Sequence, residues 1–299
     1  MKQITPYFLI LFCCLIFPPV FITYFGGHSN KDILLRINTL EQEPIEYDEL
    51  LKEQIIGILA KEVDYKESLE YVKTNAVMIR TYLLRRQLGQ TNLLELIPLN
   101  QHQMKERFGD DYETAYKIYE AAVQSTQDEV IYYEDALIEP VYHIESGGKT
   151  RDAKDYYERE IGYLKAVDSP SDVKTKQTQY TIEQAIDLLK SSFPEIIISA
   201  QYFEQQVQIV ELDKSGYIKK IQFGSISLNE KDFLKIFGLV SSNVEISFNG
   251  DKINFLQKGE GSGVGLSQNG AKEFAKKGST YKDILNYYYS EIKIKKNNE

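Results

Sequence analysis

The chain has 299 residues, 42% hydrophobic and 26% charged, with 18 glycines and 8 prolines. That composition excludes a disordered or collagen-like polymer and a multi-span membrane protein, and it leaves room for a sizeable folded core. Lys and Arg number 35 and Asp and Glu 44, a net charge of −9, and with no long basic tract nucleic acid is not expected as a partner.

From Gln3 to Asn30 there is no Lys, Arg, Asp or Glu, and apolar runs fill residues 7–17 and 20–25. A helix that crosses a bilayer needs about 20 apolar residues, and Pro6, Pro18 and Pro19 interrupt this stretch without adding charge. Residues 1–30 therefore read as a short cytoplasmic tail and a single transmembrane anchor, with 31–299 as an extracytoplasmic domain. One alternative is a cleaved signal peptide, which would also begin with a positive charge such as Lys2, but no small-residue cleavage site follows. Another is a buried helix of the soluble body, which leaves unexplained why the apolar residues gather at one end. Both cysteines, Cys13 and Cys14, lie in this segment, so the body is expected to be stable without disulfides. With only His28, His102 and His143 in the chain, zinc is poorly supported.

Residues 31–47 read as a strand or linker. Leu50, Leu51, Ile55, Ile58 and Leu59 then recur on one face of a helix over 48–61, which Glu62 closes or follows. A second helix over 68–86 carries Leu69, Val72, Ala76, Ile79 and Leu83 on one side, with Arg80 elsewhere on its circumference. Asp110 and Glu113 resemble a capping box for a third helix with Tyr112, Ala115, Tyr116, Tyr119 and Val123 at helical spacing. Strands are expected over 129–133 and 136–144, the latter ending near His143, before the glycine-bearing segment Ser146-Gly147-Gly148-Lys149-Thr150. After Pro170 residues 171–179 are polar and without apolar periodicity, marking a lobe boundary. Thr181 with Gln184 caps a helix to Leu189, and strands over 207–212, 217–223 and 244–248, joined by turns at 214–216 and 249–251, complete an α+β lobe at 181–255. The glycine-rich run 259–265 introduces a helix through Lys277, and Ser279 caps another to Tyr288. The fold class is α+β.

The chemistry is less explicit. A phosphate loop ending at Gly148-Lys149-Thr150 would need glycine at 143, where the chain has histidine, and no G-x-S-x-G nucleophile surrounds Ser146. Glu62 has a route to partial burial after its apolar helix, which would keep a proton available for a leaving oxygen. His143 could ligate a metal, transfer a proton or hold the Gly147-Gly148 loop.

Four ordered blocks carry a resemblance. Residues 53–63, EQIIGILAKEV, and 73–82, KTNAVMIRTY, are followed by 141–150, VYHIESGGKT, with 163–170 behind it, and by 263–271, GVGLSQNGA. In order and separation they resemble the family of stage II sporulation protein D, the SpoIID/LytB domain family. The resemblance implies a lytic transglycosylase that cleaves peptidoglycan strands freed of stem peptides, with Glu62 as acid and then base, no cofactor, and a 1,6-anhydro end as product. It implies substrate contacts from Arg80, Tyr82, His143, Ser146, Ser267 and Gln268, with Gly147, Gly148, Gly263 and Gly265 shaping the loops. Other readings stand beside these: a helix-surface ion pair for Arg80, core packing for Tyr82, and helix capping for Ser267 and Gln268. Ser262 stands where the family commonly has histidine and Ser146 where some members have cysteine, so zinc dependence is not expected. The implied partners are denuded glycan strands, a cell-wall amidase and other membrane proteins of engulfment, at the mother-cell septal membrane. The resemblance also leaves open a noncatalytic scaffold of the amidase-enhancer type.

Overall fold

The computed structural model describes residues 44–90 and 96–297. The apolar anchor segment expected over 1–30 lies outside them, and among the described residues no helix is long and apolar enough to cross a membrane.

Helix α1 runs Pro44–Glu62. It starts earlier than the apolar pattern indicates, and proline is well suited to a first helical position because its missing N–H is one of the orphans there. Ile55, Ile56, Ile58, Leu59 and Ala60 are buried, and Glu62 is the last helical residue. Helix α2 (Leu69–Gln87) departs from the one-faced helix expected: every residue from Thr74 to Tyr82 is buried. It is packed by α4 (Tyr112–Ser125), by strand β1 (Glu129–Tyr133), and by helices α8 (Gln268–Lys276) and α9 (Tyr281–Tyr288). Apart from the buried Arg80, its charged residues lie towards its two ends, Glu70 and Lys73 half-buried at one and Arg85 half-buried and Arg86 exposed at the other, the pattern of a helix surrounded by protein.

Between them, helix α3 (Gln101–Phe108) is closed by a capping box of Asn100 and Gln103 that the apolar pattern does not announce. The capping box expected at Asp110 and Glu113 does not form, because Gly109–Asp111 is a turn of 3-10 helix and Asp111, the residue before α4, makes no side-chain cap. The tyrosines of α4 do enter the core: Tyr112 and Tyr119 are buried, and the Tyr119 hydroxyl donates to the Val63 carbonyl at 2.6 Å. The single strand expected over 136–144 is two short pieces, β2 (Ala136–Leu137) and β3 (Tyr142–His143). Pro140 lies between them and has no N–H for a ladder. β1 is the centre of an antiparallel sheet, between β2 and β11 (Lys293–Lys296). β3 instead pairs in parallel with β10 (Leu266–Ser267), Tyr142 beside Leu266 and His143 beside Ser267.

After the short helix α5 (Ala153–Tyr157) come two three-stranded antiparallel sheets. One has the order β4 (Thr175–Thr181), β9 (Lys252–Lys258), β8 (Val244–Asn249). The other is β5 (Val207–Leu212), β6 (Ile218–Phe223), β7 (Ile226–Asn229). With helices α6 (Ile182–Ser192) and α7 (Glu230–Phe237) they enclose a second apolar cluster in which Phe203, Phe223, Phe233, Phe237 and Phe255 are fully buried. The polar stretch expected to mark a lobe boundary, 171–179, holds the start of β4, which pairs with β9 from Thr175 opposite Lys258 to Thr181 opposite Lys252. Its threonines and glutamines lie on an edge with little burial, so no apolar alternation marks it. The cap of α6 is as read, with Thr181 and Gln184 each accepting from the other's backbone. The cap of α9 sits one residue later than expected, at Thr280 with Asp283.

Candidate functional site

At the C-terminal end of α1, Glu62 is exposed and lines a pocket of about 330 Å³. Partial burial of this carboxyl, expected from the helix pattern, is not what the structure has: the last turn of α1 turns it outward at the pocket's rim. Ile58 comes from one turn earlier on α1, and Asn75, Met78, Ile79 and Tyr82 come from α2. Pro140, Val141 and Tyr142 approach from β3 and the segment before it, Gln268 from the start of α8, and Leu96 completes the wall. The wall is thus mainly aliphatic and aromatic, and among the described residues that line it Glu62 is the one acid and no Lys or Arg is present. Tyr142 is 38% exposed. Its partial burial, and after that the charges of Glu62 and Tyr82, hold its phenol above the ordinary value.

Three of the sequence candidates, Glu62, Tyr82 and Gln268, therefore meet in one pocket. The others do not line it. Arg80 is 3% exposed, and its guanidinium donates to the carbonyls of Val123, Thr126 and Glu129 at 3.1, 2.7 and 3.0 Å. Burial lowers its pKa to about 10, against the opposing pull of Asp128 and Glu129. Neither a surface ion pair nor a pocket contact describes it: it fastens the end of α4 and the start of β1 to α2.

His143 lies behind the pocket, 4% exposed. Its Nδ1 is 3.1 Å from the Val264 carbonyl; since a carbonyl only accepts, Nδ1 carries the proton and Nε2 is the bare nitrogen. Nε2 is buried with no hydrogen-bond partner, and burial pushes the imidazole's pKa down to about 4. The ring is neutral at pH 7.

Ser146 and Ser267 are tied to a residue that the sequence did not single out, Asp172. This buried carboxylate accepts from the Ser146 N–H at 2.9 Å and its hydroxyl at 2.7 Å through Oδ2. Through Oδ1 it accepts from the Ser267 hydroxyl at 2.9 Å and from Asn269 Nδ2 at 3.4 Å. Ser267 also caps α8, accepting from the Gly270 N–H at 3.0 Å, so the capping alternative describes it. Asp172 thereby fixes the helix start that holds Gln268 in the pocket wall.

The glycines are placed for close approach. Gly265 has φ +78 and a Cβ there would lie 2.0 Å from the Val141 carbonyl oxygen, so no side chain fits without breaking the β3–β10 junction. A Cβ on Gly147 would meet the Asn243 carboxamide at 2.3 Å, and one on Gly263 (φ +77) would meet the Tyr217 hydroxyl at 2.5 Å. Gly148 has φ +98, and a Cβ there would lie at ordinary contact distance, 4.0 Å, from the Asp172 carbonyl oxygen.

Arg151, also missed, lies in the same framework and is fully buried. It donates to Asp213 at 2.6 Å, to both Glu230 carboxylate oxygens at 2.7 and 3.0 Å, and to the Ser262 carbonyl at 3.2 Å, with Tyr217 stacked 4.4 Å from its guanidinium. Ser262, where a histidine would be expected, lends its Oγ to the Val264 N–H at 3.2 Å. Among the described residues no three His, Cys, Asp or Glu side chains are grouped so as to hold a metal ion.

A family model described as stage II sporulation protein matches residues 47–133, the stretch that contains Glu62, Asn75, Arg80 and Tyr82. The chain is 31% identical over 269 residues to the stage II sporulation protein D of Bacillus subtilis (strain 168), covering 82% of this chain and 74% of that protein. It is 28% identical over 259 residues to the protein of the same name from Bacillus amyloliquefaciens, again 82% and 74%. It is also 24% identical over 296 residues to the amidase enhancer of Bacillus subtilis (strain 168), covering 78% of this chain but 39% of that protein.

Proposed function

Because the chain belongs to the stage II sporulation protein D family, we propose that it is a peptidoglycan lytic transglycosylase. Its substrate would be the linkage between N-acetylmuramic acid and N-acetylglucosamine in strands freed of stem peptides, during remodelling of the sporulation septum and engulfment. The observation that carries this reading is the position of Glu62, an accessible carboxyl in a pocket whose other walls are mainly apolar and aromatic, with the carboxamides of Asn75 and Gln268 among them. Sugar rings present an apolar face to aromatic side chains, here the part-exposed Tyr142, while Tyr82 is 3% exposed and packs in the core, and a bound strand would exclude water from the carboxyl.

In the proposed reaction protonated Glu62 donates to the glycosidic oxygen as the bond to the muramic C1 breaks. The resulting carboxylate takes the proton of the muramic C6 hydroxyl, whose oxygen attacks C1. The leaving sugar keeps the first proton, the second returns Glu62 to its starting form, and a 1,6-anhydro end results without consumption of water. Two-carboxylate glycosidases supply the nucleophile or the base from a second acid; the intramolecular hydroxyl replaces that function, consistent with one acid in the wall.

Residues 1–30 would anchor the chain in the mother-cell septal membrane, with 31–299 on the wall side as a SpoIID-like domain that includes a secondary α+β lobe at 181–255. A wall amidase and other membrane proteins of engulfment are the partners this placement suggests. The similarity to an amidase enhancer favours one second reading, a noncatalytic glycan-binding scaffold that uses the same pocket.

The readings separate by product chemistry. The full chain, purified in detergent micelles, is incubated with amidase-treated glycan and the products are weighed by mass spectrometry. New 1,6-anhydro-muramic ends are expected. New reducing ends would make the protein a hydrolase, and binding without any new end would leave the scaffold.

A further inference from the structure

Asn75 lies in the middle of α2, 7% exposed, on the wall of the Glu62 pocket. Its Nδ2 is 2.8 Å from the carbonyl of Tyr71, one turn earlier. A carbonyl can only accept, so this bond fixes which way round the carboxamide sits. Nδ2 also faces the Tyr71 phenol as a donor to its oxygen, and among the described residues no donor is paired with Oδ1. Oδ1 is therefore an acceptor held in a fixed direction and left without a donor. Met78 and Ile79 follow on the next turn of α2, Ile58 faces them from α1, and Gln268 is on the same pocket wall.

These groups make one composite feature, a fixed acceptor, a carboxamide able to donate, and an apolar patch large enough for a methyl group. An acetamido group has the complementary three parts, N–H, C=O and CH₃. We propose that Asn75 selects the 2-acetamido group of the bound sugar: Oδ1 accepts the acetamido N–H, Gln268 Nε2 donates to its carbonyl, and the methyl lies against Ile58, Met78 and Ile79. This rests on the reading of the pocket as a glycan site and adds which substituent that site recognises. A 2-O-acetyl group at the same carbon keeps the carbonyl and the methyl but turns an ester oxygen, an acceptor without a proton, toward Oδ1. A site built to pair an N–H discriminates because its own acceptor is left bare when the wrong group enters.

The test is affinity of the full chain, measured by calorimetry, for chitotetraose and for a cellotetraose carrying 2-O-acetyl groups. The unsubstituted protein binds the acetamido strand at least tenfold more tightly. In Asn75→Ala and Asn75→Ser that ratio falls to within about twofold, through weaker binding of the acetamido strand alone. Alanine suits a helix interior, and thermal unfolding of both variants shows whether they are folded. If folded variants keep the full ratio, or lose both affinities equally, Asn75 is not the selector although the pocket still binds glycan. If the unsubstituted chain binds neither strand, the glycan reading fails and the inference fails with it.

Discussion

The two sides of the β3–β10 junction are built on opposite principles. On the pocket side the polar groups are few and placed singly on apolar walls: Glu62 exposed, the free end of Asn75, Gln268. On the rear side the polar groups are buried and mutually occupied, with Asp172 holding Ser146 and Ser267, and Arg151 holding Asp213 and Glu230. Tyr142 and His143, adjacent in one strand, show the change of principle across a single residue, one exposed beside Glu62 and the next sealed in. A polar group occupied by protein cannot also bind a ligand without losing the first partner. The difference therefore divides the sequence candidates into residues that can act on a substrate and residues that hold the actors in place.

Substitutions that disturb the rear side should cost stability first. The largest effect is expected at Arg151. Arg151→Ala leaves the buried Asp213 carboxylate without its partner, a loss of about 3–5 kcal/mol and on the order of 10 °C in unfolding temperature at this size. Arg151→Lys recovers little because one ammonium cannot replace the bidentate fork to Glu230. A melting temperature within a degree or two of the parent in either variant would show that the network is not a support.

His143 gives a stability effect set by pH. Its folded pKa of about 4 is depressed below the ordinary value of 6.5. The unfolded chain therefore takes up this proton first as pH falls. The stability due to the neutral buried ring is fully present above about pH 6.5 and is lost between there and pH 4, up to about 3 kcal/mol. Denaturant unfolding across that range should show the loss in the parent, and a shallower slope in His143→Gln. Identical slopes would mean that His143 is not held neutral by burial.

A smaller effect is expected at Asp172. Asp172→Asn presents an N–H₂ to donors on one side of the network and should cost about 1–3 kcal/mol, while the folded protein keeps glycan binding within a few-fold. Full stability with binding lost would move Asp172 from the supporting side to the acting one.

The sequence carries local information well and the rear network poorly, for a physical reason. Capping is a matter of neighbouring residues, so Thr181 and Gln184 can be read directly, whereas Asp172 meets Ser146 and Ser267 across 26 and 95 residues of chain. The helix at α2 is legible as a helix but not as one buried on all sides, since that depends on what α4, α8, α9 and β1 bring to it. Arg80 illustrates the consequence: helical position left a surface ion pair open and the resemblance implied a substrate contact, whereas tertiary packing gave it three backbone carbonyls. β4 is hidden because an edge strand with both faces half wet needs no apolar alternation. Glu62 and Gln268 are legible through the resemblance, and Asn75 lies within residues 73–82 without a signal of its own, because an asparagine's free acceptor is visible only when its other end is seen bonded.

The division rests most heavily on Glu62, the exposed acid whose removal should abolish chemistry and leave the fold alone. The decisive measurement is Glu62→Gln in the full chain, scored at once for anhydro-muramic ends on denuded glycan and for unfolding temperature. The account predicts a loss of product formation of at least about 10²-fold, with stability changed by no more than about 0.5 kcal/mol as for an exposed site. Undiminished formation of anhydro ends by the folded variant would contradict it.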